Sequence, residues 1–167
     1  LGDVYKRQGP GSLDDVVARV RTEGGNPDEQ VIGDVAGSIA YLNTLPYYSG
    51  KVGAIGFCSG GRQTVIVAAK LDIDAAVDCW GGRVVMAAED LTDRMPVAPI
   101  DMTAELRCPL MGIFGLEDQS PSPLEVDQHE AALIAHSKTH KFLRYADAGH
   151  SFLAPDETSS VSYTHLT

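Results

Sequence analysis

Short apolar runs alternate along this chain with longer amphipathic stretches. Residues 13–23 (LDDVVARVRTE) read as a short amphipathic helix that Gly24 and Gly25 stop. The run Asn26-Pro27-Asp28-Glu29 reads as a second helix start. Asn26 can cap, Pro27 fits the first helical position, and Glu29 stands where a capping box wants an acid. Apolar residues then recur at Val31, Ile32, Val35, Ile39 and Leu42, one helical stripe that ends near Leu45, before Pro46. Residues 51–57 (KVGAIGF) are mostly apolar without strict alternation, which suits a strand buried on both faces of a parallel sheet. A helix over residues 60–70 follows a tight turn, and residues 73–79 form a second buried strand. Residues 82–105 lack periodicity, contain Pro96 and Pro99, and read as a loop or lid with about one helical turn. A third strand covers 109–115. Ser122-Pro123-Leu124-Glu125 repeats the capping signal and opens a helix to about His136, and residues 141–145 form a fourth strand.

Strands that alternate with helices of this length imply βαβ units with right-handed crossovers. The expected class is α/β: a mostly parallel sheet of about four strands with helices on both faces. At 167 residues the chain suffices for one domain and one core. The pattern runs over residues 9–159. The flanks, 1–8 (LGDVYKRQ) and 160–167 (ending SYTHLT), match no element of it. They resemble translated sequencing adapter and are expected to be non-native, with the natural N-terminus absent.

Composition narrows the function classes. The hydrophobic fraction of 44% and charged fraction of 22% are those of an ordinary globular protein. A net charge of -10 argues against a nucleic-acid partner and against an anionic membrane surface. No run approaches the length of a spanning helix. Three cysteines without a CxxC spacing favour a reducing compartment, so a cytoplasmic location is expected. His129, His136 and His140 lack accompanying ligands at metal-binding spacing; His129 and His136 read as a solvated helix face, and neither metal nor cofactor is expected.

Candidate chemistry centres on Gly56-Phe57-Cys58-Ser59-Gly60-Gly61, between a strand and a helix. This is the pattern of a nucleophile elbow with Cys in place of Ser. The turn forces Cys58 into a strained conformation above the sheet. Gly56 and Gly60 are read as leaving room for neighbouring backbone. The following helix points its positive end at the thiol and favours thiolate. The Ser59 backbone N–H is placed to stabilise an oxyanion. Glu117 and Asp118 follow the third strand, where an orienting acid belongs, and Asp118 fits that position better. His150 follows the fourth strand, where the base belongs. Nucleophile, acid, histidine is the chain order of the α/β-hydrolase fold.

Three segments, GFCSGGR, GLEDQSPSP and DAGHSF, each resemble signatures of the dienelactone hydrolase family, and the resemblance spans roughly residues 26–155. It implies an α/β-hydrolase fold and a triad of Cys58, Asp118 and His150. It also implies hydrolysis of a small-molecule ester or enol-lactone through a covalent acyl-enzyme. Two departures stand out. The resemblance implies a second oxyanion donor and a regulatory glutamate far upstream, both expected to lie before the first residue of this chain. Family members also place an arginine four residues after the histidine, where this chain has Ala154. A thioesterase or other acyl-transfer enzyme on the same triad, or a non-catalytic binding domain on the same fold, stay as alternatives. Trp80 and Arg83 are the candidate substrate-binding residues: Trp80 either lines the pocket or packs under the loop, and Arg83 and Arg94 could meet an anionic substrate. Arg62 either pairs with a carboxylate or faces solvent. Cys79 and Cys108 read as core. The oligomeric state stays open.

Overall fold

The computed structural model describes residues 22–153 together with Asp15, Ala18 and Val20. Most of the helix expected over 13–23 lies outside the described residues. The first complete helix is α1 (Asp28–Leu42). Strand β1 (Gly53–Phe57) leads through Cys58 into α2 (Ser59–Lys70), and β2 (Ala75–Cys79) follows. Residues 80–109 are irregular and carry two 3-10 segments, Ala88–Asp90 and Pro99–Glu105, where the sequence predicted about one turn. Strand β3 (Leu110–Gly115), helix α3 (Pro123–Ala135) and strand β4 (His140–Tyr145) complete the order.

The four strands form one parallel sheet in the order β1-β2-β3-β4. This sequential order explains a departure from the expected layers. Right-handed crossovers that all step the same way across a sheet must all lie on the same face. Accordingly α1, α2 and α3 share one face. There Val65–Ala69 of α2, Leu133 of α3 and the α1 stripe of Val31, Ile32, Val35 and Ile39 pack with Ala76 and Leu110 of the sheet. The opposite face carries Ile55, Phe57, Val77, Ile113 and Tyr145. Among the described residues no helix covers it, and Ile55 and Phe57 are 60% and 51% exposed. The apolar character of both strand faces was legible in the sequence; a second helical layer is not among the described residues.

Two helix starts were read from similar signals, and they differ. Ser122 accepts a hydrogen bond from the Glu125 N–H while the Glu125 carboxylate accepts from the Ser122 N–H, so the capping box of α3 is present. Asn26 does not cap α1. The cap position is Pro27, with no side-chain bond, because the Asp28 N–H donates instead to the carbonyl of Arg94, 2.9 Å away. The start of α1 is thus tied to the irregular segment after β2 rather than to its own sequence neighbours.

Candidate active site

Because every strand points the same way, the residues that follow them gather at one edge of the sheet, where open α/β sheets bind ligands. Cys58 follows β1, Trp80 to Arg83 follow β2, Asp118 follows β3 and His150 follows β4.

Cys58 stands at φ 55°, ψ −121°, a region that side chains with a Cβ rarely adopt. Such strain costs about 1–3 kcal/mol and persists only where surrounding bonds impose it. Here the Cys58 N–H donates to the Cys79 carbonyl at 3.0 Å. The Cys58 carbonyl accepts from the N–H groups of Gly61 (2.9 Å) and Arg62 (3.3 Å). Glycine is needed at Gly56, where a Cβ would overlap the Gly60 carbonyl and the Thr64 hydroxyl. It is not needed for space at Gly60, contrary to the expectation: a Cβ there meets nothing. The second sterically required glycine is Gly61, where a Cβ would overlap the carboxylate of Asp78 and the backbone of Gly81. The thiol is exposed. Ser59 opens α2, and as a first-turn residue its N–H has no carbonyl within the helix to bond.

The ends of β3 and β4 are stitched together. The Leu116 N–H donates to the Tyr145 carbonyl and the Glu117 N–H to the Ala148 carbonyl, and Gly115 lets Ala148 approach. This brings Asp118 to His150, with Oδ2 2.8 Å from Nδ1. Asp118 is 2% exposed, and its Oδ1 accepts the Ser120 N–H at 2.9 Å, so both carboxylate oxygens are satisfied. Glu117, the rival acid, lies on the cleft wall and makes no bond to the histidine. With Nδ1 held by Asp118, Nε2 is the ring nitrogen left for proton exchange.

Cys58, Ser59, Asp118 and His150 all line one open cleft of about 1020 Å³, together with Arg83, Met95 and Gln119. The other sequence candidates divide. Arg83 is exposed on this wall, at φ 62°, with its guanidinium donating to the Asp90 carbonyl at 2.9 Å. Trp80 does not line the cleft. It is 3% exposed and packs against the rings of Phe57, Phe152 and His150, as its packing reading has it. Arg94 bonds Glu23 and the Gly25 carbonyl. Cys79 and Cys108 are buried.

Of the two readings of Arg62 the pairing holds, though its partner was not foreseen, and the places of His129 and Asp78 escaped the sequence reading. Arg62 forms a two-pronged buried ion pair with Asp28 at 2.5 and 3.0 Å and also donates to the Arg83 carbonyl. It thereby ties α1, the elbow helix and the cleft wall together. His129 is not on a solvated face but 2% exposed, edge-on to Phe142, with Nε2 unpartnered. Burial, with the nearby His140, pushes its pKa down to about 4. Asp78 is fully buried, and burial pushes its pKa up to about 7 against the opposing bond from Gly81. A charged residue inside the apolar run AAVDCW was the one visible sign of it.

Similar proteins of known sequence and structure point to one family. The sequence profile of the "Dienelactone hydrolase family" matches residues 1–165. A "Putative carboxymethylenebutenolidase" of Methylorubrum extorquens is 34% identical over 161 residues, which cover 91% of this chain and 52% of that protein. One of the same description from Synechocystis sp. is 29% identical, covering 93% of this chain and 64% of the relative. The crystal structure of a "Putative Dienelactone Hydrolase" from Klebsiella pneumoniae superposes with a TM-score of 0.72 at 27% identity, covering 89% of this chain and 61% of that one. The chain thus spans about half to two-thirds of the length of these relatives. On its profile, its relatives and its α/β-hydrolase fold, this chain belongs to the dienelactone hydrolase family.

Proposed function

We propose that this chain carries the hydrolytic centre of an enzyme that cleaves a small-molecule ester or enol-lactone through a Cys58-His150-Asp118 triad. The observation that carries the reading is the meeting of an exposed thiol at a strained strand-to-helix turn with an acid-held histidine on one cleft. His150 takes the thiol proton as the Cys58 sulfur bonds to the substrate carbonyl carbon, and negative charge moves to the carbonyl oxygen. The Ser59 N–H, at the positive end of α2, stabilises that oxyanion. The tetrahedral adduct collapses, the C–O bond breaks, and His150 returns its proton to the leaving oxygen. A water deprotonated by His150 then attacks the thioester and restores the thiol. Asp118 holds the ring with Nδ1 protonated throughout.

The descriptions of the relatives support an ester or lactone as substrate. Arg83, the cationic side chain exposed on the cleft wall, is the group we assign to an anionic part of that substrate. Three free cysteines among the described residues support a reducing, cytoplasmic setting. The test is hydrolysis of p-nitrophenyl acetate by this chain and by Cys58→Ala. Loss of turnover in the variant supports the reading, and unchanged turnover removes Cys58 from it.

A further inference from the structure

Beneath the elbow lies a second acid that the triad does not use. Asp78 is 0% exposed. Its Oδ1 accepts the Gly81 N–H at 2.8 Å, and its Oδ2 has no partner. The carboxyl is wedged between two backbones: a Cβ on either Gly61 or Gly81 would overlap Oδ1, and Gly61 and Gly81 themselves touch. Two links run from here to the nucleophile. Gly61 donates to the Cys58 carbonyl, and the residue after Asp78 supplies the carbonyl that holds the Cys58 N–H.

We propose that Asp78 is a positioning residue for Cys58: as the neutral acid it braces the turn after β2 against the first turn of α2, and its ionisation sets a buried negative charge beneath the elbow that slows reaction at the thiol. This rests on the reading of Cys58 as nucleophile.

The surroundings favour the neutral form. β1 and β3 present Gly56 and Gly112 beside Asp78 in the sheet, neither charged. From α2 comes Gly61, followed by Arg62, whose guanidinium is committed to Asp28. From the turn after β2 comes Gly81, with Arg83 two residues on and directed to the Asp90 carbonyl. The neighbouring titratable group is the Cys79 thiol, whose own ionisation is pushed up by burial and by Asp78. A carboxylate here would leave one oxygen bare in a dry site, and burial accordingly moves Asp78's pKa up to about 7. The carboxyl therefore changes charge within the pH range in which a hydrolase works. A negative charge held under the elbow opposes a second one on the Cys58 sulfur.

The experiment is the rate of Cys58 alkylation by iodoacetamide from about pH 5 to about pH 9, read peptide by peptide, in the wild-type chain and in Asp78→Asn. The amide keeps the shape and the acceptor for Gly81 but cannot ionise. The wild-type profile should carry an inflection near pH 7 that Asp78→Asn lacks. Above that inflection the variant should react about fivefold faster. Superimposable profiles at a reactive Cys58 overturn the role of Asp78 and leave the nucleophile standing. A Cys58 no more reactive than an ordinary thiol in either protein overturns the nucleophile reading, and the Asp78 role with it. Should Asp78→Asn not fold, infrared spectra of the wild type decide. A buried protonated carboxyl band, shifted by carbon-13 aspartate and lost as pH rises through about 7, supports the proposal. Its absence at acid pH overturns it.

Discussion

Two acids stand near the ends of neighbouring strands, Asp118 after β3 and Asp78 within β2, and both are buried, at 2% and 0% exposure. They live in different regions. Asp118 belongs to the rim of the cleft, where the backbone after β3 turns an N–H toward one oxygen and His150 takes the other. Asp78 belongs to the floor, where glycines press against it and one oxygen goes unmet. A second such group lies elsewhere in the core: His129 of α3, against Phe142, with an unpartnered Nε2. Burial alone does not decide what a charged residue does. At the rim a full set of partners holds the acid against His150. At Asp78 and His129, missing partners push each group toward its neutral form.

Changes at the rim should separate from changes on the floor. The largest effect is expected for Asp118→Asn, which leaves the shape but unsettles the tautomer of His150. We expect a loss of about 10³–10⁴-fold in kcat toward an activated ester, with little change in the urea midpoint. A loss of stability in place of activity would place Asp118 with the floor residues.

Next comes Arg62→Met, which strands the Asp28 carboxylate in a site sealed by α1 and α2. A single partner left buried costs about 3–5 kcal/mol, read as a lower urea midpoint, and Arg62→Met with Asp28→Leu should recover most of it. If the double variant is no better than the single, the pair is not an isolated unit.

The pH dependence of stability distinguishes Asp78 and His129 by sign. His129 has a folded pKa of about 4, below the ordinary value of 6.5. Its contribution is complete above about 6.5 and is lost as pH falls through about 4, with a ceiling of about 3 kcal/mol. Asp78 is raised from 3.8 to about 7, so its contribution is complete below 3.8 and is lost as pH rises through about 7. Urea unfolding of His129→Leu should therefore flatten the acid side of the profile and leave the alkaline side unchanged. The smallest effect concerns Arg83→Ala. It should raise KM for an anionic ester about tenfold, leave kcat in place, and spare a neutral ester.

Much of the rim could be read from the sequence because local rules place it. A short apolar run, G-x-C-x-G-G and a helix can meet in few ways, and parallel strands send Asp118 and His150 to the same edge as Cys58. The Ser122–Glu125 box is equally local. The rest was not legible, because its roles come from contacts between distant segments. Arg62 finds Asp28 across 34 positions. Asn26 loses the cap of α1 because Arg94, far along the chain, takes up the first helical N–H. Gly61 rather than Gly60 is the crowded glycine because β2 delivers Asp78 beneath it. His129 is buried because α3 turns it against Phe142, which its seven-residue spacing from His136 gave no reason to expect. Trp80 ends a strand at the ligand edge, yet Phe57 and Phe152 draw it beneath the cleft.

The central claim is that Cys58 forms a bond to the substrate acyl group. It is tested most directly by mixing the chain with p-nitrophenyl acetate, quenching in acid within the first turnover, and mapping the acetyl group by peptide mass spectrometry. The account predicts acetylation at Cys58, with more of it surviving in His150→Ala if that variant is first acetylated with a more reactive donor, because deacylation needs the base. Turnover without acetyl-Cys58, or acetylation spread evenly over Cys58, Cys79 and Cys108, would contradict it.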